Sequence, residues 1–284
     1  MARDIRELAG AWTRFQRHAS HPPSGGLTRH VDHLWAASWH YPRPYHQLIV
    51  PLPQVHLVIQ DGRATVNGVR TGHHVKVLAG VGGVLGVAFR PGGFRGFLRA
   101  PVSTITDRSV DAEAVFGADV RELLADWPAM VSPHPGEAPA PYGAETAARV
   151  DRFLLRRRPA PDQRAEQAAE MVAAIATRPE ITRVDTLVRE TGGTVRQAQR
   201  LFAEHVGVGP KWVIRRYRLR EVTERMAAGG PIDWAALAAD LGYTDQSHLV
   251  RDFRDVFGEP PTHYAARFPG FPPPTAADPV GRRR

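Results

Sequence analysis

Two short stretches carry side chains able to read the edges of nucleic-acid bases. One holds Arg196, Gln199 and Arg200; the other holds Gln246, Ser247, His248 and Arg251. A guanidinium can pair with guanine O6 and N7, and a carboxamide with adenine N6 and N7. A hydroxyl or imidazole adds single hydrogen bonds. Between them runs a basic segment with Lys211, Arg215, Arg216, Arg218 and Arg220. Taken singly, each arginine reads as part of a solvated helix face. The four arginines from 215 to 220 also spread around a helix, so only about half could face one partner.

The N-terminal half offers different chemistry. Nine of the thirteen histidines precede residue 75, among them His30, His33 and His56. No His-x-His with a distant Glu and His accompanies them, so packing or surface histidines are the expectation and no metal is assigned. The segment from Phe89 to Phe94 reads as a strand ending in a Pro-Gly turn, with both phenylalanines in the core. Its other reading has Arg90 holding an anionic ligand in a pocket, with His56 and Trp35 nearby.

Composition removes several functions. The chain has 284 residues, no cysteine, 43% hydrophobic content and a net charge of +8. Disulfides, Cys-ligated zinc, iron–sulfur clusters and thiol catalysis are excluded. No apolar run approaches the ~20 residues of a bilayer span, and residues 1–10 lack a signal-peptide core. A cytoplasmic protein without a membrane partner is expected. There is no Gly-x-Ser-x-Gly elbow and no phosphate-binding Gly-Lys-Ser/Thr loop. The charge suggests a polyanionic partner, yet it is spread thinly. Residues 1–174 hold 20 basic and 16 acidic side chains, and residues 175–268 hold 14 and 12.

The elements that must position these groups change character along the chain. Residues 47–52, 55–60, 64–66, 75–78 and 84–89 are short β-rich runs, punctuated by Asp61-Gly62, Asn67-Gly68 and further glycines. They predict an antiparallel sandwich or barrel, only loosely cupin-like. Helical spacing follows at 112–124 and 144–155, around a loop at 128–141 with five prolines. A break at 156–161 marks the domain boundary. From 162 on the pattern is helical, with Thr182 and Asp185 resembling a capping box. The overall class is α+β in two domains. Residues 1–158 form the β-rich domain with its trailing helices, 162–268 the helical domain, and 269–284 a disordered tail.

The helical domain contains an internal repeat. Leu187 matches Leu237 and Gly192 matches Gly242, at an offset of 50. Arg200 then matches Arg251 and Phe202 matches Phe253, at 51. In each copy a short amphipathic helix ends at a glycine, and a second helix follows with one polar face. In the second copy Asp233 and Asp245 are placed to cap two helices. Trp234, Leu237, Ala238 and Leu241 face inward on the first, and Leu249, Phe253 and Phe257 on the second. A linking helix over 210–227 spans roughly 27 Å. It could set two polar helices about one DNA turn apart.

These residues resemble the AraC/XylS-type DNA-binding domain. The resemblance rests on the run Leu241-Gly-Tyr-x-Asp-Gln-Ser-His-Leu-x-Arg-Asp-Phe253 followed by Gly258-Glu-Pro-Pro261. Val188 and Gly193 depart from the usual pattern of the first module. The resemblance implies two helix-turn-helix modules, at about 180–209 and 232–266, joined by a helix over 210–228. Base readers would be Arg196, Gln199 and Arg200, then Gln246, Ser247, His248 and Arg251. Phosphate contacts would come from Lys211, Arg215, Arg216, Arg218 and Thr244. The N-terminal half is similar to β-rich sensor domains of some AraC-type regulators. The runs Val31-Asp-His-Leu-Trp35 and Leu48-Ile-Val-Pro-Leu-Pro53 carry that similarity.

The expected function is a one-component, non-enzymatic transcription regulator that binds double-stranded DNA. RNA polymerase, a small-molecule effector and a second copy of the chain are its admitted partners; no cofactor is assigned. Two alternatives stay open at this point. One is a metal-dependent cupin-like enzyme fused to a DNA-binding domain; the other is a nucleoid-type protein with little sequence preference. The AraC-type fusion to a DNA-repair methyltransferase is excluded, because it needs a reactive cysteine.

Overall fold

The computed structural model describes residues 15–125, 127–130, 134 and 136–265. The tail at 269–284 lies outside the described residues, as does the segment 1–10. The N-terminal half is built on one six-stranded antiparallel sheet, β1 (Gln16–His21), β2 (Val31–Ile49), β3 (His56–Gln60), β4 (Arg63–Asn67), β5 (His74–Phe89) and β6 (Ser109–Asp111), in the order β1-β2-β5-β3-β4-β6.

The two long central strands are where sequence and structure differ most. Residues 75–78 and 84–89 are parts of the single strand β5, and its glycines are not breaks. Trp35 and Trp39 of β2 lie flat across Gly86 and Gly82, where a Cβ would sit 2.2 Å and 2.4 Å from the indole rings. Glycine is required there because the strand's surface is occupied by indole. β2 was hidden by Pro42 and Pro44. Its register with β5 shifts between Tyr41 and Tyr45, and the shift takes both prolines out of the ladder. Residues 50–55 are irregular rather than strand.

Strand alternation gives the sheet two apolar faces. Leu34, Ala36, Leu57, Ile59, Leu85, Val87 and Phe89 face the main core. Ala37, Trp39, Tyr41, Leu78 and Val84 form a smaller cluster on the other face, with Tyr41 and Tyr45 stacked 4.8 Å apart.

Eleven helices are described. α1 (Arg95–Leu98), α2 (Glu113–Phe116), α3 (Asp119–Leu124) and α4 (Ala144–Arg156) follow or flank the sheet. The helix expected over 112–124 is thus two short ones, parted at Gly117, whose φ is +77°. Then come α5 (Gln163–Thr177), α6 (Val184–Thr191), α7 (Val195–His205), α8 (Pro210–Ala228), α9 (Trp234–Asp240), α10 (Gln246–Phe257) and α11 (Pro261–Ala265).

The main core is continuous from the sheet into α5, α6, α7 and the start of α8, ending at Phe202, Val213 and Ile214. A second core gathers Leu219, Val222 and Met226 of α8 with Leu237, Leu249, Phe253, Phe257 and Tyr264. The sheet domain reaches this core too, through Val50. Polar contacts also tie the halves together. Arg216 Nε donates to the Pro51 carbonyl, and Trp212 Nε1 donates to the Thr71 carbonyl at 3.1 Å. Arg95 pairs with Glu204 at 2.9 Å, and His73 packs on Gly258.

The glycine–indole packing makes a direct prediction. Gly86→Ala should force Trp35 off the sheet and destabilise the fold by about 1–3 kcal/mol. Thermal unfolding checks this, and an unchanged midpoint would show that the indole does not need the bare backbone.

Candidate nucleic-acid interface

The two polar helices α7 and α10 are each started by a side-chain cap. At α7, Thr194 accepts the Gln197 amide at 3.3 Å, while the Gln197 side chain accepts the Thr194 amide at 2.8 Å. At α10, Asp245 accepts the His248 amide at 2.7 Å. Asp233 caps α9 by accepting from Ala235 and Ala236, both at 3.0 Å. Each cap satisfies amides that a helix start leaves without partners. The capping box expected at Thr182 and Asp185 is not the one formed. Arg183 is the N-cap of α6 and gives no side-chain cap bond. The capping box belongs one helix later, at Thr194.

Three residues separate α6 from α7 and five separate α9 from α10. Gly192 and Gly193 make the shorter turn with φ of +85° and +90°, conformations that favour glycine. The departure Gly193 therefore has a local reason.

The helical faces divide as the periodicity requires. On α7, Ala198, Leu201 and Phe202 are buried, and Arg196, Gln199 and Arg200 are exposed. On α10, Leu249, Phe253 and Phe257 are buried, and Gln246, Ser247, His248 and Arg251 are exposed, as is Thr244 just ahead of the helix. Arg251 lies back along its own helix, its Nε donating to the Ser247 carbonyl at 3.3 Å. The His248 ring stands edge-on to Tyr243 at 5.2 Å.

Behind this face sits a polar network that the sequence did not reveal. Tyr243 donates to Asp252 at 2.6 Å, Asp252 pairs with Arg215, and the Arg218 guanidinium lies 5.8 Å from the Tyr243 ring. Burial, and the bond to Asp252, push the Tyr243 hydroxyl far above its ordinary value. It stays a hydrogen-bond donor. The network joins α8 to α10 and fixes the orientation of the latter. The two arginines come from α8, whereas Tyr243 and Asp252 lie more than twenty residues further on, so no local pattern marks the network.

The basic residues of α8 separate into different environments. Lys211 is exposed. Arg215 is partly neutralised by Asp252 and by Asp255 at 3.3 Å. Arg218 is half-buried. Arg216 does not fit its expected phosphate role: it is 2% exposed, bonded to Pro51 and 5.4 Å from the Phe257 ring. The sheet domain occupies its guanidinium.

In the N-terminal half, Trp35 Nε1 donates to His56 Nδ1 at 3.4 Å, so these two side chains meet on one sheet face. Arg90 does not join them. It is exposed and donates to the Thr28 carbonyl at 3.0 Å. Several histidines are engaged by backbone carbonyls: His21 by Tyr142, His30 by Gly93 and His40 by Glu137. Burial holds His30 and His74 below their ordinary values. Among the described residues no three His, Asp or Glu side chains gather where they could hold a metal, and no helix is long and apolar enough to cross a membrane.

Removing a cap tests whether these helices depend on it. Thr194→Ala and Asp245→Ala should each cost about 1 kcal/mol in denaturant unfolding; unaltered stability would mean that the caps contribute nothing.

Two family models match the chain. Residues 19–111 match a domain of unknown function, DUF6597, and residues 187–267 match a helix-turn-helix domain. No curated protein matches. Among solved structures, ToxT from Vibrio cholerae O395 aligns at 11% identity with a TM-score of 0.40, covering 90% of this chain and 98% of that one. An unsaturated fatty acid-bound ToxT from Vibrio cholerae strain SCE256 aligns at 9% identity with a TM-score of 0.36, covering 93% and 98%. Behind a β-rich domain of unknown function, then, the chain carries a helix-turn-helix domain over residues 187–267.

Proposed function

We propose that the protein is a one-component regulator of transcription that binds duplex DNA in a sequence-specific way through two helix-turn-helix modules. The observation carrying this reading is the duplicated arrangement itself. Two capped helices, α7 and α10, each bury one stripe in the domain core and expose Arg and Gln on the other. The family match over 187–267 covers both.

In this reading Arg196, Gln199 and Arg200 read one major-groove segment, and Gln246, Ser247, His248 and Arg251 the next. Lys211, Arg215, Arg218 and Thr244 contact phosphate, and helix N-termini add backbone amides. The linking helix α8 has 19 residues and spans about 28 Å, the scale of one DNA turn. The modules correspond to about 180–209 and 232–266. Non-enzymatic action, a cytoplasmic location and RNA polymerase as the partner acted upon belong to the same proposal.

The sheet domain is the sensor in this proposal, with Trp35 and His56 as its ligand-facing pair. Its support is the way residues 48–54 and 70–74 meet α8, α10 and α11. A shift of these loops would be felt directly by the second module, because Val50 is part of that module's core. A loosely cupin-like barrel and a dimer formed through α2–α4 are the remaining expectations of this architecture.

Arg251→Ala should weaken binding to a specific site by ~1–3 kcal/mol and relax preference at one base pair. Lys211→Ala should weaken binding about equally on all sequences. Gel-shift titrations on specific and scrambled duplexes distinguish the two effects; an Arg251→Ala variant with unchanged affinity and preference would refute the readout assignment.

A further inference from the structure

A cavity of about 420 Å³ lies between the C-terminal end of α5, the turn at 178–181 and one side of α8. Its apolar part is formed by Ile175, Ile181, Ile214 and Tyr217, and four arginines stand around it. Three of those arginines are matched by acids. Arg178 pairs with Glu190 at 2.8 Å, Arg220 with Glu224 at 2.8 Å, and Arg225 with Glu221 at 3.2 Å.

Arg218 is different. Its Nε is buried with no hydrogen-bond partner among the described residues. The nearest acid that acts on it, Asp252, is already engaged by Tyr243 and Arg215. Burial depresses its guanidinium below the ordinary value. A partly desolvated guanidinium that shares its nearest acid is costly, and an oxyanion at hydrogen-bond distance offsets that cost. Arg218 is half-buried and lines the open cavity, so an anion there meets the guanidinium from its cavity side without disturbing the core.

We propose that this cavity is a phosphate-binding site of the helical domain, with Arg218 as its principal donor and Arg178 and Arg225 as its flanking charges. The phosphoryl group can come from the backbone of bound DNA or from a free phosphorylated molecule, whose apolar or sugar portion would lie on Ile175 and Tyr217. The free-anion form stands independently of the regulatory reading; the DNA form rests on it.

Two variants of the full-length chain test the site. Arg218→Gln removes the donor. Ala176→Glu, at an exposed residue of the cavity rim, places a carboxylate where the anion would sit and leaves the core untouched. Thermal unfolding is followed in inorganic phosphate and in chloride at equal ionic strength, and DNA affinity is measured against salt. A phosphate-specific rise in midpoint, present in the wild type and absent from both variants, assigns a free anion. No such rise, with the slope of log K against log salt reduced by about one in both variants on every sequence, assigns the DNA backbone. If neither the phosphate effect nor the salt slope separates the variants from the wild type, the proposal is overturned. Wild type that binds phosphate but no duplex would overturn the regulatory reading alone.

Discussion

A buried guanidinium holds the two halves of this molecule in register. Arg216 sits on the linking helix, yet its Nε is spent on the Pro51 carbonyl of the sheet domain and its plane lies near Phe257 of the second module. At 2% exposure its charge carries a large desolvation cost, which the bond to Pro51 helps to offset. The loops at 48–54 and 70–74 must therefore stay where they are, with Val50 filling the second core and Thr71 accepting from Trp212. One side of α8 meets the sheet domain, another packs the second core, and a third lines the Arg218 cavity. The helix that separates the modules is thus also the element that connects them to everything else.

That arrangement explains why the basic residues of α8 are not equivalent. Sequence presents Arg215, Arg216, Arg218 and Arg220 as one charge run. Folding gives each a different partner: Asp252 and Asp255, the Pro51 carbonyl, the Tyr243 ring, and Glu224. Only tertiary contact could assign these, because no partner except Glu224 lies within one helical turn.

The helical domain was legible in the sequence because its signals are local. Asp233 and Asp245 cap the helices that their positions announced, and the inward stripe of Leu249, Phe253 and Phe257 is buried as its spacing requires. The sheet was less legible. Its strand pairing depends on partners far along the chain, and glycines at 80, 82, 83 and 86 imitate turns. The actual reason for Gly82 and Gly86, the indoles of Trp39 and Trp35, lies more than forty residues away, and Gly83 is covered by Met130. The three residues Arg90, His56 and Trp35 come together only in part for the same reason. Two of them meet over the intervening strand β5, while the third turns toward Thr28. The Arg218 cavity left no trace in the sequence beyond one arginine among several.

The central claim is that two helices of one chain read DNA sequence. Selecting bound sites from a pool of random duplexes with the wild-type protein tests it most directly. The account predicts an enriched motif in two parts, centred about 10 base pairs apart, as two major-groove segments on one face of the duplex require. Binding that enriches no sequence, with affinity set by salt alone, would contradict it.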